Sequence, residues 1–285
     1  MRLWGAVLVL YLCSCGGGPD EPAPPVELSP LTGPRVGVAV LSIQHPDFSR
    51  PRPELNGATL CDLVIKAIAP AKRPILPFLF KFFGSDETCL HKVADAFSDR
   101  EHTFRVYLSY ERLPDTDPAR GDLPPGDAAL ISRAAEARAL ISRIANPNTR
   151  VEWVLELEHK RPRADALRRA AIVEPILGAP VDLNPVRSGE DTGNHRSEAH
   201  GKRAHCDSKV RSVSQDGSVF SEEESAEWLN LNKTCDGIFL WWPEDQGLIR
   251  EGADYRKPGG DPGDRRMSFN RAAIYERLIR SFEAR

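Results

Sequence analysis

An α/β fold of (β/α)8-like barrel type, regular or irregular, is what the sequence predicts, on three observations. Segments with strand and helix patterning take turns from about residue 35 to the C-terminus, the signature of parallel βαβ units. The chain is 41% hydrophobic and 28% charged, values of an ordinary globular domain, and shows no apolar run long enough to cross a bilayer. No Gly-x-Gly-x-x-Gly and no Walker-type loop follows any strand, which puts a doubly wound nucleotide-binding sheet second.

The first element is an address. Met1-Arg2 is a short positive region, and Leu3 to Leu12 is apolar but shorter than the roughly 20 residues a span needs. Residues 1–14 therefore read as a signal peptide for export. Residues 15–34, GGGPDEPAPPVELSPLTGP after Cys15, have almost nothing to bury and read as a Gly- and Pro-rich tether. Residues 35–285 are expected to form a single barrel-like domain.

Within that domain Val36 to Ile43 is a strand, and Leu60 to Ala69 has helical spacing up to Pro70. Pro74 to Phe83 is apolar and aromatic, and periodicity does not decide between strand and short buried helix. Ser85-Asp86-Glu87 opens a helix reaching about Phe97, and Phe104 to Ser109 alternates as a strand. Asp127 to Ala145 is the clearest helix, with Leu130, Ala134, Ala137, Ile141 and Ile144 on one stripe. Val151 to Leu157 is a strand. Ala164 to about Val173 is a helix stopped by Pro175, and Val181 to Leu183 is a short strand. Residues 186–208 read as polar and irregular, and Val210 to Ser214 as a weak strand. Ser221 with Glu224 makes a capping box for a short helix. Gly237 to Trp242 is a buried strand, and Phe269 to Phe282 a terminal helix.

Leu12-Cys13-Ser14-Cys15 resembles the lipobox of bacterial lipoproteins. The resemblance implies that Cys15 is diacylated on sulfur and becomes the mature N-terminus. It implies a protein anchored in the cell envelope through its lipid. Gly16 in the following position implies the outer membrane where there is one, with the domain facing periplasm or exterior. The alternative is an ordinary secretory signal cut a few residues later; export follows from both.

Apart from Cys13 and Cys15, four cysteines remain in an oxidising compartment, an even number that favours disulfides. Three pairings exist. Cys61–Cys89 and Cys206–Cys235 are preferred because each closes a local loop. A four-cysteine metal site is disfavoured, since no Cys-x-x-Cys occurs. His195, His200 and His205 recur every five residues beside Cys206; on a helix that spacing spreads them round the axis and makes no compact triad, so solvated histidines are the preferred reading and a metal site in an irregular loop is the alternative. A net charge of −3 and interleaved signs exclude the basic stripe of a nucleic-acid binder. No cofactor is expected, and oligomeric state is left open.

In a barrel the chemistry sits at the C-terminal ends of the strands. The strand ends here supply Gln44, Tyr110, Glu156 with Glu158, Asn184 with Arg187, and Trp242 with Glu244. Glu156 and Glu158 share one face of their strand by alternation, and two such carboxylates need partners or water. Trp242 beside Glu244 offers a ring for a pyranose face and a carboxylate for proton transfer. The expected catalytic pair is Glu158 and Glu244, with Trp242, Tyr110, Glu156, Asn184 and Arg187 binding substrate. One carboxyl would protonate the leaving oxygen while the other served as nucleophile or base. In this layout the chain resembles a (β/α)8-barrel glycoside hydrolase, although Val-Leu-Glu-Leu-Glu-His departs from an Asn-Glu-Pro strand end. The alternative is a non-catalytic envelope lipoprotein binding a glycan or a protein at the same face.

Overall fold

The computed structural model describes residues 33–81, 84–109, 124–157, 163–185, 194–197, 205–208, 222–241 and 269–285. For 194–197, 205–208 and several strand ends, Ser109, Glu156, Asn184 and Trp241 among them, only the backbone is described. Strand β1, Arg35–Ala39, is buried along its whole length. Helix α1, Leu60–Ile68, begins in the capping box of Thr59 and Asp62: each side chain accepts from the other's backbone N–H. Its buried Leu60, Val64, Ala67 and Ile68 recur at helical spacing and turn one face to the sheet.

The Pro74 segment is a strand, β2, Pro74–Leu79. Pro77 has no N–H to give β1, but its carbonyl accepts from Val40 N at 2.8 Å. The regular β1–β2 pairing covers only Val36 with Pro74 and Gly37 with Ile75. The backbones approach so closely there that a Cβ on Gly37 would run into the Ile75 carbonyl oxygen, so this position needs glycine.

Helix α2, Thr88–Ala96, is tied to α1 by the Cys61–Cys89 disulfide, whose Cα atoms are 5.5 Å apart. The preferred first pairing is thus present. Cys235 is also disulfide-bonded.

The chain continues through β3, His102–Ser109; α3, Pro124–Ile144; β4, Thr149–Leu157; and α4, Arg163–Leu177. Pro175 does not stop α4. It lies in the last turn, where the missing N–H costs one bond, and the helix ends instead at Gly178 (φ 71°), whose N–H still reaches the Glu174 carbonyl. Strand β5 is Val181–Pro185. The stretch expected to be irregular contains a hairpin, β6, Asn194–Ser197, and β7, His205–Ser208. Its four-residue strands are polar and have no alternation of apolar residues to reveal them. Helix α5, Glu222–Leu231, strand β8, Gly237–Trp241, and helix α6, Phe269–Glu283, complete the described chain. The expected strand over Val210 to Ser214 lies outside the described residues.

The sheet order is β5-β4-β3-β2-β1-β8-β7-β6, parallel throughout except for β6, which runs antiparallel to β7. This corrects the barrel expectation. The order is that of a barrel cut between β5 and β6, and the sheet is a curled half-barrel rather than a closed eight-fold one. Side chains record the curl: Arg35 of β1 bonds Glu152 of β4, three strand spacings or about 14 Å away on a flat sheet.

The helices cover the convex face over a large apolar cluster that includes Val36, Val38, Leu76, Phe78, Phe104, Val106, Leu108, Leu155, Ile238 and Leu240. Arg169 of α4, 1% exposed, pairs with Asp127 of α3 and with Asp165, tying these two helices together.

Candidate functional site

The parallel strands all end at one edge of the sheet. Ala39, Leu79, Ser109, Leu157, Pro185 and Trp241 close β1, β2, β3, β4, β5 and β8, so the segments that follow leave side by side. In parallel α/β folds this edge carries the ligand site, because the loops there vary without disturbing the sheet.

The concave face below that edge is layered. Lowest is a charged group drawn from four strands. Arg105, fully buried, donates to Glu152 at 3.0 Å and to Asp182 at 2.9 Å through Nη1, and its Nε approaches the Tyr107 hydroxyl at 3.3 Å. Arg35 bonds Glu152 from the other side and reaches the carbonyl of Asp236. Burial alone would lower the pKa of the Arg105 guanidinium, but interactions with Tyr107, Glu152 and Asp182 outweigh it and raise it above the ordinary value. Two cations meet two anions, and each desolvated charge has a partner. In the row above Glu152, the row that Asp182 itself occupies, Leu79, Tyr107 and Val154 pack together with Leu41 as an apolar belt.

Above the belt lies the register row that the sequence reading singled out. Glu156 pairs with Asn184 on one side and with Ser109, the residue before Tyr110, on the other. Glu156 follows Val154 by two residues and so takes the next position on the concave face. Trp241 pairs with Ala39 and ends β8 one residue before Trp242. Two of the expected binding residues are therefore register neighbours. Tyr110, Glu158, Arg187, Trp242, Glu244 and the lipidation candidate Cys15 lie outside the described residues.

At the same edge the segments after β1 and β2 are stitched together by Gln44, which is 1% exposed. Its side-chain oxygen accepts from Lys81 N at 2.6 Å, and its backbone carbonyl accepts from Asp86 N at 2.9 Å. Among the described residues its side-chain nitrogen has no hydrogen-bond partner. Lys81 holds φ at 50°, rare for a residue with a side chain, while its ammonium pairs with Glu136 of α3 at 2.7 Å. That hydrogen bond holds the Glu136 carboxyl below the usual range. Gln44 looked like an ordinary polar strand end in the sequence, and only its burial sets it apart.

The Arg35–Glu152–Arg105–Asp182 group was not anticipated. Its signal was present as single charged residues, Arg105, Glu152 and Asp182, set among apolar ones in their strands, but the pairing runs between strands that only the sheet order brings together. Among the residues described with side chains, no three His, Cys, Asp or Glu groups gather to hold a metal ion. No family model, no curated protein and no solved structure matches the chain.

Proposed function

We propose that this is an exported protein, lipid-anchored at Cys15, whose half-barrel takes a glycan at the C-terminal edge of its sheet and hydrolyses it with Glu158 and Glu244. One observation carries the reading: the parallel strands share a single C-terminal edge, with Glu156 and Asn184 in one register row above an apolar belt. The segments bearing Tyr110, Glu158, Arg187, Trp242 and Glu244 all leave from that edge. A sugar ring stacks on Trp242, the polar row orients its hydroxyls, and the two carboxyls divide the acid and nucleophile or base roles.

The test is hydrolysis and binding on a panel of bacterial and plant glycans by wild type, Glu158→Gln and Glu244→Gln. The reading expects activity lost in both variants with binding retained. Activity that survives both substitutions removes the catalytic assignment; binding without hydrolysis in wild type leaves the non-catalytic glycan binder. Lipidation is tested separately by fatty-acid labelling in cells, which Cys15→Ala should abolish.

A further inference from the structure

The β6–β7 hairpin changes what can be made of the histidines near Cys206. Read as a helix, His195 and His205 diverge. Paired as antiparallel strands, they converge: His195 lies opposite Asp207, and Ser197 opposite His205. Residues opposite each other in a ladder share a face, as do residues two apart on one strand. His195, His205 and Asp207 therefore occupy one face of the hairpin, and Cys206 the other.

The next strand says which face this is. β7 pairs in parallel with β8, His205 beside Gly237 and Asp207 beside Phe239. Phe239 belongs to the concave side, packed with Ala39 and Ile75, whereas Ile238, the partner of Cys206, lies in the helix-covered cluster. The two histidines and the aspartate thus stand on the concave face, and the cysteine is excluded from their company.

We propose that His195, His205 and Asp207 form a binding site for a divalent first-row transition-metal ion. Three features of the placement fit. Opposite residues have Cβ atoms about 4.5–5.5 Å apart, and residues two apart on a strand are separated by about 7 Å. Backbone positions spaced in this way suit three ligands of a single ion bound at roughly 2.0–2.2 Å. Two nitrogen donors and one carboxylate suit zinc, cobalt, nickel or ferrous iron, and three protein ligands leave a position open for water or substrate. Room is available as well: the neighbour of His205 on β8 is Gly237, which brings no side chain, and beyond it Arg35 is committed to Glu152 and the Asp236 carbonyl. Phe239, itself buried, is the register neighbour of Asp207 on β8.

The site does not depend on the glycan reading, so either can fail alone. The experiment is titration of the chelator-stripped full-length protein with zinc by calorimetry, and with cobalt by visible absorption. The expected result is one equivalent bound, a cobalt spectrum of low coordination number, and a thermal midpoint that rises with zinc. His195→Ala, His205→Ala and Asp207→Asn should each weaken zinc binding by at least about tenfold, no less than the loss of a supporting residue does. His200→Ala should leave it unchanged. Should an alanine variant fail to fold, Asp207→Asn and His195→Gln decide the matter. Absence of stoichiometric binding, or binding that all the ligand variants retain, overturns the site.

Discussion

The two faces of the sheet are both buried, yet they are built on opposite principles. Along β3, His102, Phe104, Val106 and Leu108 look toward the helices, while Thr103, Arg105 and Tyr107 look into the concave side. The convex face gains stability from removal of apolar area, which is non-directional and tolerates any side chain of similar shape. On the concave face stability depends on charge matching, which is directional and fails when one partner goes. Successive residues along a single strand therefore carry very different sensitivities.

The largest effect is expected from Arg105→Met, which leaves Asp182 and half of Glu152 without their buried cation. It should cost about 3–5 kcal/mol in denaturant unfolding. Adding Asp182→Asn should recover part of that loss, a non-additivity of about 0.5–3 kcal/mol in the double-mutant cycle. Strict additivity would mean the group is not a unit.

Leu108→Met, three residues on and equally buried, should cost less than about 1.5 kcal/mol. A loss as large as that of Arg105→Met would erase the contrast between the faces.

His102 sharpens the comparison because it is a titratable group on the apolar side. Burial lowers its pKa from 6.5. In the neutral ring one nitrogen donates to the Arg100 carbonyl while the other accepts from the Thr149 hydroxyl. The unfolded chain takes up a proton near pH 6.5 and the folded protein only below that, so stability is full above about 6.5 and declines as pH falls toward the lowered value. Unfolding midpoints compared between pH 7.5 and 5 should fall more steeply in wild type than in His102→Gln; equal slopes would show that another group is responsible.

The smallest effect belongs to the surface. Arg280→Ala removes an exposed i,i+4 pair with Glu276 and should change stability by no more than about 0.5 kcal/mol.

Much of the sheet was legible in the sequence because its strands are apolar and its helices periodic. Leu130, Ala134, Ala137, Ile141 and Ile144 are all buried on α3, as their stripe requires. β2 was left undecided because its residues are apolar throughout and no period separates a buried strand from a short buried helix; the cost of Pro77 is confined to the short β1–β2 ladder. The hairpin was hidden for another reason: Asn194–Ser197 and His205–Ser208 contain no alternating apolar side chains to set a period, and the pairing of β7 with β8 supplies the missing order. Closure of the barrel could not be read at all, since alternation of strand and helix is common to open and closed parallel sheets. At the candidate site, the strand ends carrying Glu156 and Asn184 were identifiable from residue type and position, and their side-by-side register follows from strand pairing alone.

The position of β1 has a consequence in time. It lies mid-sheet between β2 and β8, and Arg35 bonds Asp236, 201 residues further along. A ribosome adding about 5–20 residues per second needs roughly 10–40 s to travel that distance. Throughout that interval one flank of a fully buried strand has no partner, so the chain is at its most adhesive when most of it has already been made. A folding catalyst or holdase that shields this edge would have its greatest effect just before residue 241 appears, and a truncation upstream of β8 would strand the molecule in that state.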